Sequence, residues 1–318
     1  MSHPAQALVT RMRAYDSAAL AEAAALVRAG EPVAVPTETV YGLAADATNA
    51  AAVARIYAAK GRPAFNPLIV HVADLAMARS LVAFSPLAEA LAAAFWPGSL
   101  TMVLPRLPDS PVAELASAGL PTLAIRLPSH PAMRALIVAA GVPLAAPSAN
   151  RSGGISPTRA AHVLASLGGH IPLILDAGAT SDGLESTILR PEDGRVTLLR
   201  PGPITAAMIE QAAGVPVLGA GSGEGITAPG QLESHYAPSK PLELNCTAPA
   251  PDQYHIGFGP GSSQYNLSAN SDLIEAAANL FAALHEADAA AQPRISVAPI
   301  PMEGIGVAIN DRLARAAA

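Results

Sequence analysis

Short apolar runs alternate with capped, alanine-rich helical stretches through the first two hundred residues, and nothing else in the chain restricts its fold as much. Asp16 and Ser17 start one helical stretch that Gly30 stops; Thr48 or Asn49 starts another that Gly61 stops. Further helices are expected around Leu75–Val82, Leu87–Phe95, Ala132–Ala140, Arg159–Leu167 and Ala206–Ala212. Strand-like runs lie between them: PVAVP, LIVHV, LTMVLP, TLAIRLP, VPLAA and PLILDAG. STILR and VTLLR then follow one another with no helix between, which demands a direct antiparallel link. Helical crossovers together with such a link predict an α/β fold built on a mixed sheet with flanking helices.

The alternation breaks over Gly219–Lys240, where GAGSGEGITAPGQLESHYAPSK is rich in Gly, Ser and Pro. A stretch this long between ordered elements is either flexible or functional. Beyond it come YHIGFG, a long helix over Asp272–Ala290, the strand RISVAPIP and a last helix over Ile305–Ala316. The expected organisation is therefore 1–218, a linker at 219–240, and a small α/β unit at 241–318. The last piece is short enough to bury little surface by itself, so it is expected to dock on the first.

Composition removes several function classes. A net charge of -6 and 4% aromatic residues argue against a broad nucleic-acid-binding face. The single cysteine, Cys246, forbids an internal disulfide, and no Cys/His spacing resembles a zinc site. No leader-like apolar segment opens the chain and no apolar run reaches the roughly 20 residues of a membrane span. A cytoplasmic protein without membrane segments is expected.

Charged and hydroxyl groups gather where elements end. Lys60 and Arg62 flank the Gly61 helix stop, and Arg126 and Arg200 each close an apolar strand just before a proline. One cation at a helix C-terminus is adequately explained by the helix dipole. Three arginines and a lysine at element ends of an acidic protein point instead to an anionic ligand. The loop PSANRSGGISPT brings Ser148, Asn150 and Ser156 beside a glycine pair, which suits either an anion cradle or an ordinary capped polar loop. It matches neither a Walker A loop nor a dinucleotide fingerprint. Ser148 lacks the G-x-S-x-G elbow, and His71, His130, His162 and His235 have no triad context, which counts against a hydrolase. His130 reads as a helix cap. Glu38, Asp46, Asp176 and Glu185 are acidic residues near strand ends, readable as Mg²⁺ ligands or as turn and cap residues.

The strings PTETVYGL, KGRP followed by NPLIVH, WPGSLT, AIRLPSHP, PLAAPSAN, ESTI and LLRPGPI occur in this order. Through them the chain resembles the Sua5/YrdC/YciO family, whose Lys-x-Arg and Ser-x-Asn pairs correspond to Lys60/Arg62 and Ser148/Asn150. HYAP at His235 and the C-terminal extension resemble the longer Sua5 form. The resemblance implies a YrdC-like twisted mixed sheet followed by a small Rossmann-like Sua5 domain. It implies threonylcarbamoyl-AMP synthesis: L-threonine, bicarbonate and ATP, with Mg²⁺, give the adenylate and pyrophosphate. A downstream tRNA threonylcarbamoyltransferase system then uses the product, and direct tRNA binding is left open. Lys60 and Arg62 would be catalytic. Thr37, His71, Arg126 and Ser186 would bind threonine. Lys60, Arg62, Thr122, Ser148, Asn150, Ser156 and Arg200 would bind ATP, and Tyr236 in the linker would close over it. The alternative is an RNA-binding or regulatory protein of the same fold that lacks threonine activation.

Overall fold

The computed structural model describes residues 8–219 and 235–318. Eleven strands make one sheet: β1 Arg11–Ala14, β2 Val33–Pro36, β3 Tyr41–Asp46, β4 Ile69–His71, β5 Leu100–Pro105, β6 Thr122–Arg126, β7 Leu144–Ala145, β8 Leu173–Asp176, β9 Thr187–Glu192, β10 Arg195–Arg200 and β11 Val217–Gly219. Their order across the sheet is β1-β8-β2-β3-β7-β4-β6-β5-β9-β10-β11. Parallel neighbours (β1 with β8, β4 with β6, β5 with β9) occur beside antiparallel ones (β2 with β3, β5 with β6, β9 with β10). The sheet is therefore mixed, and the helix-free link between STILR and VTLLR is the antiparallel β9–β10 pair.

The helices are α1 Ser17–Arg28, α2 Ala50–Lys60, α3 Leu75–Arg79, α4 Pro86–Phe95, α5 Glu114–Ser117, α6 Pro131–Ala140, α7 Ala160–Leu167, α8 Ala206–Ala213, α9 Leu273–Ala289 and α10 Gly306–Ala316. Their starts follow the capping chemistry. Asp16 Oδ1 accepts from Ala19 N at 2.7 Å, and Asn49 rather than Thr48 caps α2, accepting from Ala51 N and Ala52 N. Gly61 ends α2 with φ 60°, a left-handed turn that glycine adopts without a Cβ clash. The helix expected over Leu75–Val82 stops at Arg79, because the chain leaves it so that Val82 can bridge Arg106.

A second, four-stranded sheet contains β12 Leu242–Glu243, β13 Gln253–Gly257, β14 Tyr265–Asn266 and β15 Arg294–Val297, in the order β12-β15-β13-β14. All its neighbours are parallel. Its core packs Leu280, Phe281 and Leu284 of α9 with Ile256, Ile295 and Val297, and Val40, Ile155 and Leu184 from the first part join the same cluster. The approach is close: a Cβ on Gly183, itself at φ 70°, would lie 2.4 Å from Ala278 Cα of α9. Among the described residues no helix is long and apolar enough to cross a membrane.

Candidate active site

The ends of β2, β4, β6, β7 and β10 converge on one cavity, which holds about 530 Å³ of non-atom space, its solvent mouth included. One wall is the turn between β2 and β3. Thr37 Oγ1 donates to Val40 O at 2.7 Å and lies 2.8 Å from Thr39 Oγ1, which folds both hydroxyls into the turn. Arg126, ending β6, donates through Nη1 to Thr39 Oγ1 (2.9 Å) and through Nε to Gly98 O (3.1 Å). Its Nη2 lies 2.7 Å from Glu38 Oε1. The Glu38 carboxylate also accepts from the backbone N–H groups of Ser129 and His130. Burial pushes the Glu38 pKa up, but the Arg126 charge and these hydrogen bonds outweigh it and hold the carboxyl down at about 2.

Beside Arg126, His71 ends β4, buried to 2% exposure, with Nδ1 unpartnered. Burial, helped by the Arg126 charge, brings its pKa to about 3, so the imidazole is neutral. The other half of the cavity is basic. The Gly61 turn separates the roles of Lys60 and Arg62. Lys60 Nζ lies behind the wall and donates to Ser148 O (2.6 Å) and Asn150 O (2.5 Å). Arg62 stands in the wall, tethered by bonds to Asn66 O and Pro67 O. Burial drives the Lys60 pKa well below that of a free lysine, with the Arg62 charge adding to the effect, and burial brings Arg62 to about 10. Arg200, ending β10, donates to Ser186 O and Ser186 Oγ, and Ser186 Oγ lies 2.8 Å from Thr101 Oγ1.

His235 and Tyr236, at the described end of the expected linker, line the cavity; residues 220–234 lie outside the described residues. Ala237 N donates to Gly153 O at 2.8 Å, and His235 N donates to Arg315 O of α10 at 3.1 Å. Tyr236 is fully buried at φ 68°, with its ring 4.0 Å from that of His235 and its hydroxyl unpartnered.

Of the residues expected at a site, Thr37, Arg62, His71, Arg126, Ser148, Ser186, Arg200 and Tyr236 line the cavity. Lys60, Asn150 and Ser156 are not in the lining. Asn150 Nδ2 bonds Arg151 O and Gly154 O, and Ser156 Oγ donates to Glu185. Thr122 is not brought to the cavity: it begins the strand that Arg126 ends, four residues or about 13 Å away. Thr39, Val40, Glu185 and His235 join the lining without having been assigned a ligand there. Thr39 was legible in TETV, whereas Arg312, which ion-pairs with Glu185 at 2.8 Å, carried no local signal.

The acidic candidates are all engaged. Glu38 and Glu185 pair with arginines, Asp46 accepts from Thr48, and Asp176 accepts from Gly178 N and the Tyr41 hydroxyl. Among the described residues no group of three or more His, Cys, Asp or Glu could hold a metal ion. The buried charged side chains among the described residues are Lys60, Arg62, Arg126, Arg200 and Arg312 against only Glu38 and Glu185. In the lining itself Arg62, Arg126 and Arg200 stand against Glu185 alone, and buried charge of one sign is costly unless it is matched, so the cavity suits an anionic ligand.

Comparison with known proteins agrees. The family model described as "Telomere recombination", Sua5_yciO_yrdC, matches residues 25–202, and that of the "Threonylcarbamoyl-AMP synthase, C-terminal domain" matches 204–318. A threonylcarbamoyl-AMP synthase of Bacillus subtilis is 43% identical, covering 94% of this chain and 92% of its own. One of Pyrococcus abyssi is 38% identical, covering 92% of each. The crystal structure of P. abyssi Sua5 complexed with L-threonine superposes with a TM-score of 0.84 at 35% identity, covering 98% of this chain and 97% of that one. Escherichia coli YciO, 20% identical, shares the fold over 61% of this chain and 96% of its own with a TM-score of 0.52. The matches of this chain's own sequence to both family models, and to relatives over nearly its whole length, show that the chain belongs to the Sua5-type threonylcarbamoyl-AMP synthase family.

Proposed function

We propose that this cavity is where the chain, a nucleotidyltransferase of the threonylcarbamoyl-AMP synthase kind, joins L-threonine, bicarbonate and ATP. The supporting observation is the excess of buried arginines over carboxylates in the cavity lining, Arg62, Arg126 and Arg200 against Glu185. The cations are enclosed rather than spread along a surface, which favours a small polyanion over RNA.

Arg126 is held by Gly98, Thr39 and Glu38, so its guanidinium keeps one orientation, which supports its pairing with the threonine carboxylate. Neutral His71, with Nδ1 unpartnered, accepts a hydrogen bond from the substrate's amine or hydroxyl. Thr37 and Ser186 complete that end. The threonine nitrogen attacks the bicarbonate carbon, water leaves, and a carbamate forms. A carbamate oxygen then attacks the α-phosphorus of ATP, and the bond to the β-phosphate breaks with pyrophosphate leaving. Arg62 and Arg200 meet the charge that develops on the phosphoryl oxygens. Lys60 acts by tying Ser148 and Asn150 into the shape the nucleotide meets, Asn150 and Ser156 brace that loop, and Tyr236 shields the labile product from water. Mg²⁺ would travel with the nucleotide's phosphates, since the nearby carboxylates Glu38 and Glu185 are already paired. The product would pass to a separate tRNA threonylcarbamoyltransferase system.

Pyrophosphate release from ATP, measured with L-threonine and bicarbonate omitted in turn, tests this reading. Release that requires both is expected. Release that needs neither, or none at all, would overturn it.

A further inference from the structure

Arg312 is the largest fully buried side chain of the described residues, at 0% exposure, yet α10 carries it far from the catalytic sheet in sequence. Its guanidinium does not serve its own unit alone. Nε donates to Glu185 Oε2 at 2.8 Å and Nη2 donates to Pro201 O at 2.9 Å, both in the first part of the chain. Nη1 donates to Asp311 at 2.6 Å. The other Glu185 oxygen accepts from Ser156 Oγ. Glu185 precedes Ser186, the residue that Arg200 grips, and Pro201 follows Arg200. Arg312 therefore braces both ends of the Ser186–Arg200 contact from behind.

It also touches the segment around Tyr236. Its Cζ lies 5.3 Å from the centre of the Tyr236 ring, within the range of a cation–π contact. One turn further along α10, Arg315 O accepts from His235 N. Phe281 of α9 packs on the other part of the Tyr236 ring, with centroids 5.6 Å apart.

We propose that Arg312 is a positioning residue of the active site. Through Glu185 it sets the Ser186–Arg200 wall, through the Tyr236 ring it holds the cover in place, and this is the task of the C-terminal unit in the reaction. The inference rests on the cavity being the site of synthesis. The charge pattern agrees with it. Burial pulls the Arg312 pKa down, but the neighbouring Tyr236, the carboxylates of Glu185 and Asp311 and the hydrogen bond to Glu185 outweigh burial and push it above that of a free arginine. The Glu185 pKa is raised by burial, yet Arg312, Arg200 and the Ser156 hydroxyl bring it down overall.

The test uses the full chain, with Arg312→Met to keep the bulk and remove the fork, and Arg312→Lys to keep the charge. Wild-type pyrophosphate release, dependent on threonine and bicarbonate, is established first; if that fails, the functional reading fails and not this one. Initial rates are then taken across ATP concentrations, with melting midpoints beside them. Arg312→Met is expected to raise the KM for ATP at least tenfold, with Arg312→Lys intermediate. Guanidinium added at low millimolar concentration is expected to lower the KM of an Arg312→Ala variant, with no such response from wild type. A purely structural role would reduce only the fraction of active protein, lowering kcat and leaving KM unchanged. A variant set that shows that pattern, or wild-type kinetics in Arg312→Met, overturns the proposal. Should Arg312→Met not fold, the KM of Arg312→Lys decides alone: raised supports the proposal, unchanged overturns it.

Discussion

Glu38 is a carboxylate buried beside Arg126, and its acid behaviour follows from that pairing. Its carboxyl titrates near 2 in the folded protein, against 4.5 ordinarily. The stability it contributes is therefore present above about pH 4.5 and is lost as pH falls toward 2. At about 1.4 kcal/mol per pKa unit this is on the order of 3 kcal/mol. The melting midpoint of the wild type should drop more steeply between about pH 4.5 and 3 than that of Glu38→Gln. Equal slopes would show that the pair does not govern acid stability. The residue scale is also where sequence reading met its limit. Lys60 and Arg62 both read as cations at a helix stop, but only the left-handed turn at Gly61 and the position of the Ser148 loop decide that one faces the cavity and the other the loop carbonyls. Arg126 and Arg200 were legible because each ends an apolar strand. Arg312 was not, because its partner Glu185 lies 127 residues away and no local pattern marks it.

Elements with a strong burial pattern were readable, and those without one were not. β4, β6 and β10 announce themselves as apolar runs. β1 is exposed along its whole length, so nothing in RMRA signals a strand, and its place comes from pairing with β8. β14 and β12 span two residues each, too short for any periodicity to show. Thr122 lies outside the lining for a related reason: a strand's sequence marks its extent but not which of its ends faces a cavity. Just past β10, Gly202 lets the chain cross the segment that leads into β9. A Cβ there would lie 2.4 Å from Thr187 N and 2.8 Å from Glu185 O, both backbone atoms that cannot swing aside. Gly202→Ala should cost about 1–3 kcal/mol through overpacking. It should also lower kcat/KM, because Ser186 and Arg200 would shift together. A variant with unchanged melting midpoint and unchanged kcat/KM would refute this placement of strain.

At the scale of the whole molecule the two sheets share apolar surface. Val40, Ile155 and Leu184 sit in one cluster with Leu280, Phe281 and Leu284. Docking followed from the short length of the second unit, but the residues that make the contact did not, since each looks like an ordinary core position of its own part. Scanning calorimetry should show one unfolding transition in which both parts melt together; two separated transitions would show that the shared cluster does not link them. The site inherits a kinetic property from the same design. Its tethers join partners distant along the chain: Lys60 to Asn150 across 90 residues, Arg126 to Thr39 across 87, Arg312 to Glu185 across 127. Contacts of such high order form only after the intervening chain has been brought into place, and local helices form well before them. A refolding chain of this kind should regain its helices first and its catalytic competence last, with helical circular dichroism recovering before pyrophosphate release from ATP.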